Sequence, residues 1–449
     1  MRVARVTVIA LVAALAVPTA ASAVDYPPAG NPGKGGGKVR KGKAKTYTVC
    51  KQRKRCDFRT IGKAVRKARG GDTIKVRNGT YRESVTISGS RYDGLKLIGN
   101  AKKPRKVKLD GKSLRGAKAQ NGVLINNADK VKINGFYARN FKANGFFVVN
   151  VTGYTLTNLV AGKTGVYGIY AFNSKGGTMS RSEAFHNNDA GFYIGQTPPQ
   201  SKPRRSVVKN VKSYANVLGF SGTNMRYVTI KDSDFFNNGS GIVPNALDSE
   251  KFPPPERNVI TGNRVFWNNF NYYAAAPFTV PESGPAGLPG YPLGVGVLLF
   301  GSQETTVEDN EIFGNWLAGF GAIQQILLTL EEDPALKEAA ILRGNTIRDN
   351  DFGLNGTDLN GRDMFYDGSG TGNCFAGNTT RSPNVPGNNS TFAPCPGPAA
   401  NAFSSAAQGE GVGWIAGVNK NDPSTFEKFW LRHPHAARKG VTPLERYSR

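Results

Sequence analysis

Short apolar runs that open with a glycine recur along the middle of the chain. The first four of these glycines are 23 residues apart, and longer steps follow: Gly122, Gly145, Gly168, Gly191, Gly219, Gly241, Gly296, Gly319 and Gly353. The residue after each glycine is always apolar, whereas the next one varies. This alternation is typical of a strand with one face on a core and the other in solvent. A fixed period of this length predicts a solenoid.

Amide side chains form two further columns of the repeat. The first column stands five residues after the glycine and contains Asn127, Asn150, Asn173, Gln196, Asn224 and Gln324, with Asp358 in the last coil. The second consists of asparagine pairs ahead of the glycine: Asn210 with Asn216, Asn263 with Asn268, Asn310 with Asn315, and Asn345 with Asn350. Identical amides one coil apart hydrogen-bond along a stack of strands. We therefore interpret the asparagines as structural.

The repeat favours an all-β fold, a single-stranded parallel β-helix with coils of roughly 23 residues. A leucine-rich horseshoe has a similar period, but it needs a leucine-dominated pattern that this chain lacks. Ten to eleven coils at about 4.8 Å each predict a cylinder on the order of 50 Å long. Residues 57–68 fit a short amphipathic helix, with Asp57 as its N-cap, that covers the N-terminal end of the cylinder.

Three insertions fall at the same position of the repeat. Residues 196–205, 246–257 and 326–338 each follow a glycine-led strand and precede an asparagine turn. Loops added on one side of a solenoid often build its binding face, so we expect these three to wall a groove. A fourth insertion, residues 274–293, falls at a different corner.

Consecutive coils also carry an aromatic residue at the variable, outward position. These residues, Phe147, Tyr170 and Tyr193, are spaced at about 4.8 Å and predict an aromatic ladder. A sugar polymer can stack on such a ladder, although aromatic columns also stabilise a sheet by themselves. Because this strand leads into the corner with the long loops, we predict that Phe147, Tyr170, Tyr193 and Gln196 bind substrate.

Polar side chains near the same corner are candidate catalytic groups. They are His186, Asp189, Tyr193, Arg204, Asp248, Glu250 and Lys251. For β-elimination on a uronate, a cation neutralises the carboxylate while Lys251, Arg204 or Tyr193 acts as base. A hydrolase instead needs two carboxyl groups across the glycosidic bond, and Asp189 with Asp248 or Glu250 is the best pair. The competing interpretation is that these loop charges are solvated and that the histidine caps a turn.

The sequence requires no cofactor. Ca²⁺ is kept as an alternative, although no loop gathers the several oxygen ligands that this ion prefers. A second acidic cluster, Asp358, Asp363 and Asp367, is interpreted as a turn-rich end of the solenoid.

The N-terminal segment indicates export, and the composition of the chain divides it into four segments. Arg2 and Arg5 precede an apolar run and a small-residue cleavage site, so residues 1–23 predict a secretory signal peptide. A basic linker rich in glycine, proline and lysine follows at 24–46, then the β-helix domain at 47–398 and a C-terminal tail at 399–449 with a short helix near 424–432. The cysteines form two close pairs, Cys50 with Cys56 and Cys374 with Cys395. An even count in an exported chain favours two local disulfides over a zinc site.

Residues 58–87, FRTIGKAVRKARGGDTIKVRNGTYRESVTI, resemble the opening of pectinesterases and related pectate-lyase-like proteins. The later coils resemble the secreted right-handed parallel β-helix repeat family of bacteria, and the resemblance covers most of residues 47–380. It implies a right-handed helix with three parallel sheets. It also implies a polysaccharide as partner, with binding, lysis, hydrolysis or epimerisation as the activity. The matched residues build the cap and the first coils, and no catalytic motif of pectinesterases, polygalacturonases or alginate epimerases follows.

The formal net charge of +27 is concentrated near the N-terminus. Residues 34–118 hold 28 basic and 5 acidic side chains, whereas residues 119–449 hold 29 and 26. We therefore expect the basic arm to attach the protein to an anionic cell wall or envelope surface. No nucleic-acid module and no transmembrane segment follow the signal peptide, so no nucleic-acid partner is expected.

Two functions remain open from the sequence. The first is a secreted or cell-wall-associated monomer that binds or modifies a polysaccharide in the loop-walled groove, as a lyase, hydrolase or epimerase. The alternative is a non-catalytic extracellular or cell-surface protein with a structural or adhesive role.

Overall fold

The chain forms a cylinder of coils in which every full coil gives one strand to each of three parallel sheets. The computed structural model describes residues 43–51, 56–270, 292–387 and 390–416. Phe146 pairs with Ile169 and Phe147 with Tyr170 in parallel register. These partners are 23 residues apart, so the period found in the sequence is confirmed as one turn of a parallel β-helix.

The strands follow one another in the order sheet A, sheet B, sheet C. Sheet A contains β1 Thr46–Val49, β2 Thr73–Val76, β5 Lys96–Ile98, β8 Lys132–Asn134, β11 Thr155–Thr157, β14 Thr178–Ser180, β17 Ser206–Lys209, β20 Val228–Lys231, β23 Val259–Thr261, β26 Thr306–Glu308, β29 Thr346–Arg348 and β32 Cys374–Ala376. Sheet B contains β3 Gly79–Tyr81, β6 Val107–Asp110, β9 Tyr137–Arg139, β12 Val160–Gly162, β15 Glu183–Phe185, β18 Lys212–Tyr214, β21 Asp234–Phe236, β24 Arg264–Phe266, β27 Glu311–Phe313 and β30 Asp351–Phe352. Sheet C contains β4 Val85–Ser88, β7 Asn121–Asn126, β10 Asn144–Val149, β13 Ile169–Phe172, β16 Ala190–Ile194, β19 Leu218–Thr223, β22 Ser240–Asn245, β25 Val295–Phe300, β28 Ala318–Ile323 and β31 Met364–Tyr366.

The glycine column marks a close approach between coils at the start of the sheet C strands. A Cβ on Gly168 would lie 2.5 Å from the carbonyl oxygen of Gly191, and one on Gly145 would lie 2.7 Å from that of Gly168. Any side chain here would therefore push the coils apart. The apolar residue that follows each glycine points into the cylinder, as Phe146 and Ile169 do, and is fully buried.

Asparagines form ladders inside the corners of the cylinder, as the sequence predicts. At the corner between sheets B and C, Asn216 donates from Nδ2 to the Oδ1 of Asn238 at 3.0 Å. The chain of bonds continues from Asn238 to Asn268, from Asn268 to Asn315 and from Asn315 to Asn360. Each amide also accepts a backbone N–H, so the ladder satisfies turn groups that burial would otherwise leave unpaired.

The N-terminal helix α1 spans Ile61–Lys67 and buries one apolar face against the first coils. Its N-cap is Thr60, whose side chain accepts from the backbone N–H of Lys63. The sequence-based choice of Asp57 as N-cap is wrong. The Asp57 carboxylate is engaged instead by the backbone N–H and the hydroxyl of Thr48 in β1.

The C-terminal part holds a helix that the sequence did not predict. Helix α4 spans Ser405–Ala416, and its Trp414 ring lies 4.4 Å from the Phe365 ring in the last strand of sheet C. Arg362 forms an ion pair with Glu410 of the same helix. The helix expected at 424–432 lies outside the described residues, as do the signal peptide, most of the basic arm and most of the fourth insertion.

The three other insertions leave the cylinder at one corner, between sheets C and A. Residues 195–205 follow β16, residues 246–258 follow β22, and residues 324–345 follow β28. The third of these contains helices α2 Ile326–Thr329 and α3 Pro334–Ala339.

Both cysteine pairs form disulfides, Cys50 with Cys56 and Cys374 with Cys395, as predicted. Within the described residues, no helix has the length and apolar character of a membrane-spanning segment.

Candidate functional site

The aromatic ladder on the outer side of sheet C is stacked, as the sequence predicts, but it is not open to solvent. The rings of Phe147 and Tyr170 stack with centroids 4.6 Å apart, and Tyr170 meets Tyr193 edge-on at 4.7 Å. The three residues are only 2 %, 1 % and 2 % exposed. The expectation of an exposed stacking platform is therefore wrong, in part because the Tyr167 ring lies 4.6 Å from both tyrosine rings and covers them.

The second insertion contributes to this burial because it folds back over two coils. Asn224, one coil before the insertion, donates from Nδ2 to the carbonyl oxygens of Leu247 and Glu250 at 2.7 and 2.8 Å. Another coil back, the Gln196 side chain accepts from the backbone N–H of Lys251. Hydrogen bonds to the two preceding coils thus fix the loop, and the loop places the Glu250 side chain on the outer side of sheet C.

A carboxyl group meets the end of the ladder. Tyr193 donates a short hydrogen bond from its hydroxyl to Oε1 of Glu250. The second oxygen, Oε2, is enclosed and has no hydrogen-bond partner among the described residues, although the residue as a whole is half-buried. Burial, together with the charge of Asp189, raises the pKa of Glu250 to about 8.

Asp189 lies just before β16 and forms the other half of an acidic pair. The side chain of Tyr167 hydrogen-bonds to its carboxyl group, and burial of that group raises its pKa to about 7. Among the described residues, no lysine or arginine forms an ion pair with Asp189 or Glu250. Two coupled carboxyl groups without a cation do not ionise together.

Tyr193 is a hydrogen-bond donor in this arrangement. Burial and the neighbouring Glu250 raise the pKa of its hydroxyl well above the ordinary value. A phenol held in its protonated form is a poor base at neutral pH, so the geometry does not support the use of Tyr193 as the base of an elimination.

A side-chain amide and a hydroxyl group stand at the start of the first insertion, at the corner between sheets C and A from which the loop with Glu250 also leaves. Gln196 is 2 % exposed, and its Nε2 has no hydrogen-bond partner in the described part of the chain. Thr197 is 1 % exposed, and its Oγ1 atom likewise has no hydrogen-bond partner among the described residues. Buried polar groups are normally paired, so each of these atoms has capacity for a ligand hydroxyl.

The structure does not bring the remaining loop candidates into this cluster. Asp248, Lys251 and Arg204 are exposed. The contact of Lys251 with Gln196 uses its backbone N–H, and the Arg204 side chain passes beside Gly176 at the edge of sheet A. Side-chain direction in an irregular loop does not follow the repeat, and for that reason sequence spacing did not separate these residues from Glu250.

His186 lies at the opposite end of the strand, at the corner between sheets B and C. It follows β15 with a positive φ of 53°, and its ring meets that of Phe185 edge-on. Burial and the charge of Lys163 lower the pKa of His186 to about 4, which keeps the ring neutral. Its expected place beside the insertions is wrong, because three residues still separate it from the strand that leads to them.

The second acidic cluster is occupied by structural contacts. Asp358 accepts from the indole N–H of Trp267 at 2.6 Å, and Asp363 accepts from the backbone N–H of Ser382. Across the described ranges, no group of three or more His, Cys, Asp or Glu side chains is arranged to hold a metal ion.

Asp189 and Glu250 both have a pKa raised toward neutral pH, a property that catalytic acids and bases share. Near neutral pH the pair holds one proton, so one member is a carboxylic acid and the other a carboxylate. This is the combination that cleavage of a glycosidic bond by water requires.

Tyr167 is the site residue that the sequence analysis missed. It connects Asp189 to the ladder through its side-chain hydrogen bond and its ring contacts. It stands immediately before Gly168, where the neighbouring coils have Asn144 and Ala190. A large aromatic residue at a repeat position that neighbouring coils fill with a polar or small residue was the sequence signal that could have identified Tyr167.

Comparison with known proteins supports the fold. The family model described as "Right handed beta helix region" matches residues 74–250. Comparison with curated proteins gives no significant match. A solved structure, the A-module of the Azotobacter vinelandii mannuronan C-5 epimerase AlgE6, is similar at 15 % sequence identity and a TM-score of 0.50, covering 72 % of this chain and 91 % of that one.

Two further structures have lower TM-scores. The A-module of the A. vinelandii mannuronan C-5 epimerase AlgE4 is 14 % identical over 72 % of this chain and 89 % of its own, with a TM-score of 0.47. The pectate lyase Pel9A is 14 % identical over 81 % and 82 %, with a TM-score of 0.39. The family model, the three parallel sheets and the similar fold of the epimerase module confirm the fold predicted from the sequence: this chain forms a right-handed parallel β-helix.

Proposed function

We propose that this protein hydrolyses glycosidic bonds of a neutral polysaccharide, with Glu250 as the general acid and Asp189 as the base or nucleophile. The observation that carries the proposal is the coupled pair of enclosed carboxyl groups, one of which has an oxygen without a hydrogen-bond partner among the described residues. Enclosed carboxyl groups whose pKa is raised toward neutral pH are typical of acid–base sites.

The absence of a neighbouring cation in the described part of the site favours hydrolysis of a neutral glycan. A lyase or epimerase that acts on a uronate has to neutralise the substrate carboxylate. Here a uronate would instead meet Asp189 and Glu250, with Lys251 and Arg204 directed elsewhere. A polysaccharide as substrate class is in keeping with the name of the mannuronan epimerase module whose fold this chain shares.

Loop 246–257 has a part in this proposal. Because Oε2 of Glu250 is enclosed, we expect the loop to move away from Tyr193 when a glycan binds. The ring of Tyr193 and the amide of Gln196 then become available to the sugar. Tyr170 and Phe147 continue the ladder beyond them.

We further propose that the protein works outside the cell. Two disulfides among the described residues fit an oxidising compartment. The signal peptide at 1–23 and the basic arm at 24–46 remain predictions of the sequence.

The test is a panel of neutral and acidic polysaccharides, with release of reducing ends and formation of unsaturated products measured in parallel. Hydrolysis predicts new reducing ends from a neutral glycan without ultraviolet absorbance from unsaturated sugars. Unsaturated products from an acidic glycan would instead establish β-elimination. Release of neither product by correctly folded protein would favour the structural or adhesive alternative.

A further inference from the structure

The first coils of sheet A present lysines side by side on the outer face. Lys96 in β5 and Lys132 in β8 are direct partners in the parallel register, and both point away from the core residues Leu97 and Ile133. Lys75 in β2 lies one strand earlier on the same face. Adjacent strands are about 4.8 Å apart, so like charges at paired positions repel each other.

The basic surface continues around the neighbouring corner between sheets C and A. The Lys130 side chain lies beside Gly153, with Cγ 3.6 Å from where a Cβ would stand. On the coil after Gly153, the Arg204 side chain approaches Gly176, which follows Lys175, with its Cβ 3.2 Å from where a Cβ of Gly176 would stand. We call these six residues, Lys75, Lys96, Lys130, Lys132, Lys175 and Arg204, the basic face.

The basic face is not neutralised by the part of the protein that the structure describes. None of its six side chains takes part in the ion pairs formed among the described residues. Two acids lie among them: Asp129, which accepts a hydrogen bond from the backbone N–H of Thr152 and interacts electrostatically with Lys130 and Arg204, and Asp93, which accepts from the backbone N–H of Asp129. Six basic side chains against these two acids leave a surplus of positive charge on this side.

Charged residues on sheet B avoid repulsion between register partners by alternating in sign. On the outer face of sheet B, Glu183, Lys212, Asp234, Arg264 and Glu311 are successive partners in register, and their charges alternate. Arg264 forms ion pairs with both of its neighbours. The outer face of sheet B thus pairs opposite charges across strands, whereas Lys96 and Lys132 in sheet A stand side by side without an ion pair among the described residues.

We propose that the basic face binds a linear acidic polysaccharide. Lys96 and Lys132 are neighbours along the cylinder axis at the strand spacing of about 4.8 Å, and the other four residues of the basic face add positive charge on the same side. An anionic chain laid along the axis brings carboxylates near Lys96 and Lys132 and relieves their mutual repulsion. The disulfides favour an extracellular glycan over a nucleic acid as the source of negative charge.

This binding site is separate from the proposed hydrolytic site. The basic face lies on sheet A and its corner, whereas Asp189 and Glu250 act on the outer side of sheet C. The acidic glycan is therefore an attachment surface and not the substrate. Loss of one function is expected to leave the other intact.

The experiment measures binding of the full chain to fluorescent oligogalacturonate by anisotropy at low ionic strength. The charge-reversal variant Lys96→Glu/Lys132→Glu should weaken binding about tenfold or more, because each lysine contributes roughly a factor of five near an anionic surface. Added salt should weaken the wild-type complex in the same way, because it screens exposed charges.

The matched control is Lys209→Glu/Lys231→Glu. These lysines are also register partners on the outer face of sheet A, and the change in net charge is identical. We expect less than about a twofold effect, since they lie outside the basic face and Lys231 already contacts Asp232. An equal loss in both variants would show that net charge alone governs binding and would overturn the proposal.

Two further arms separate other polyanions. Single-stranded DNA of equal charge and vesicles with anionic lipid are titrated under the same conditions. Tighter, Lys96- and Lys132-dependent binding to either, with none to oligogalacturonate, would replace the glycan by that partner and refute the proposal. If the glutamate variant does not fold, Lys96→Ala/Lys132→Ala removes the charges without reversing them, and unchanged binding by that variant would equally refute it.

Discussion

Tyrosine hydroxyls contact glutamate carboxyl groups on the outer sides of two neighbouring sheets, but the surroundings of the two contacts differ. On sheet B, Tyr214 donates to Glu183, and the guanidinium of Arg105 pairs with the same carboxylate at 2.8 Å. On sheet C, Tyr193 donates to Glu250, which has no basic partner among the described residues. The same two residue types thus form a contact whose negative charge is balanced by an arginine in sheet B, and a contact without such a cation in sheet C.

The aromatic columns that contain these tyrosines also differ in the regularity of their ring stacking. On sheet B, Phe185, Tyr214, Phe236, Phe266 and Phe313 stack almost parallel, with interplanar angles between 5° and 18°. On sheet C the last step of the ladder is edge-on, at 79°. Regular stacking and paired charge indicate a role in stability, whereas an irregular ladder that ends on a carboxyl group without a cation indicates a role in binding or catalysis.

The largest effect is expected from Glu250→Gln. The amide keeps the shape of the side chain and can still accept from Tyr193, but it cannot deliver a proton, so glycan release should fall by roughly 10² to 10⁴. The matched control is Glu183→Gln, the same change in the sheet B contact, which should leave the rate within about twofold because the residue does not touch the site. Equal rates for both variants would remove Glu250 from catalysis.

Phe236→Ala tests whether the aromatic stack on sheet B serves stability and not activity. Removal of a ring from the middle of the sheet B stack leaves a cavity between Tyr214 and Phe266, and the free energy of unfolding should fall by about 3–5 kcal/mol. Below the unfolding transition, the rate per folded molecule should not change. The measurements are denaturant unfolding and glycan release; a loss of activity in fully folded protein would show that the two columns are coupled.

The fold was far easier to predict from the sequence than the site. The glycine period and the asparagine columns recur in most coils, so one-dimensional spacing carries the register, the core positions and the corner of the insertions. The last coil is the exception, because its sheet C strand begins at Met364, and Gly353, which the sequence placed at that point, follows the sheet B strand instead. Glu250 comes from an irregular loop that turns back two coils, and only its hydrogen bonds to Asn224 and Tyr193 place it. Spacing alone therefore could not separate Glu250 from Asp248 and Lys251.

The pH dependence should distinguish the sheet C pair from an ordinary carboxylate. The rate should rise as Asp189 ionises near pH 7 and fall as Glu250 loses its proton near pH 8, with the two steps shared by the coupled pair. A maximum near pH 5, which ordinary carboxyl pKa values would give, would contradict this assignment.

The same raised pKa values have a consequence for stability. Between about pH 4.5 and 8 the folded protein holds protons that the unfolded chain has released, so the free energy of unfolding falls as pH rises through that interval. Glu250→Gln removes one of these groups and should flatten the decline. Denaturant unfolding of both proteins at several pH values measures the difference.

The smallest effect is expected from Arg105→Ala in the balanced contact. Arg105 and Glu183 keep side-chain exposures of 45 % and 29 %, so water and salt screen their attraction, and the guanidinium also lies 5.0 Å from the centroid of the Phe185 ring. Loss of both contacts should cost only about 1 kcal/mol of unfolding free energy, and the cost should shrink in high salt. Because Tyr214 still donates to Glu183, the stack should persist and glycan release should not change. A variant that kept its stability but lost activity would place the working carboxyl group on sheet B and reverse the comparison.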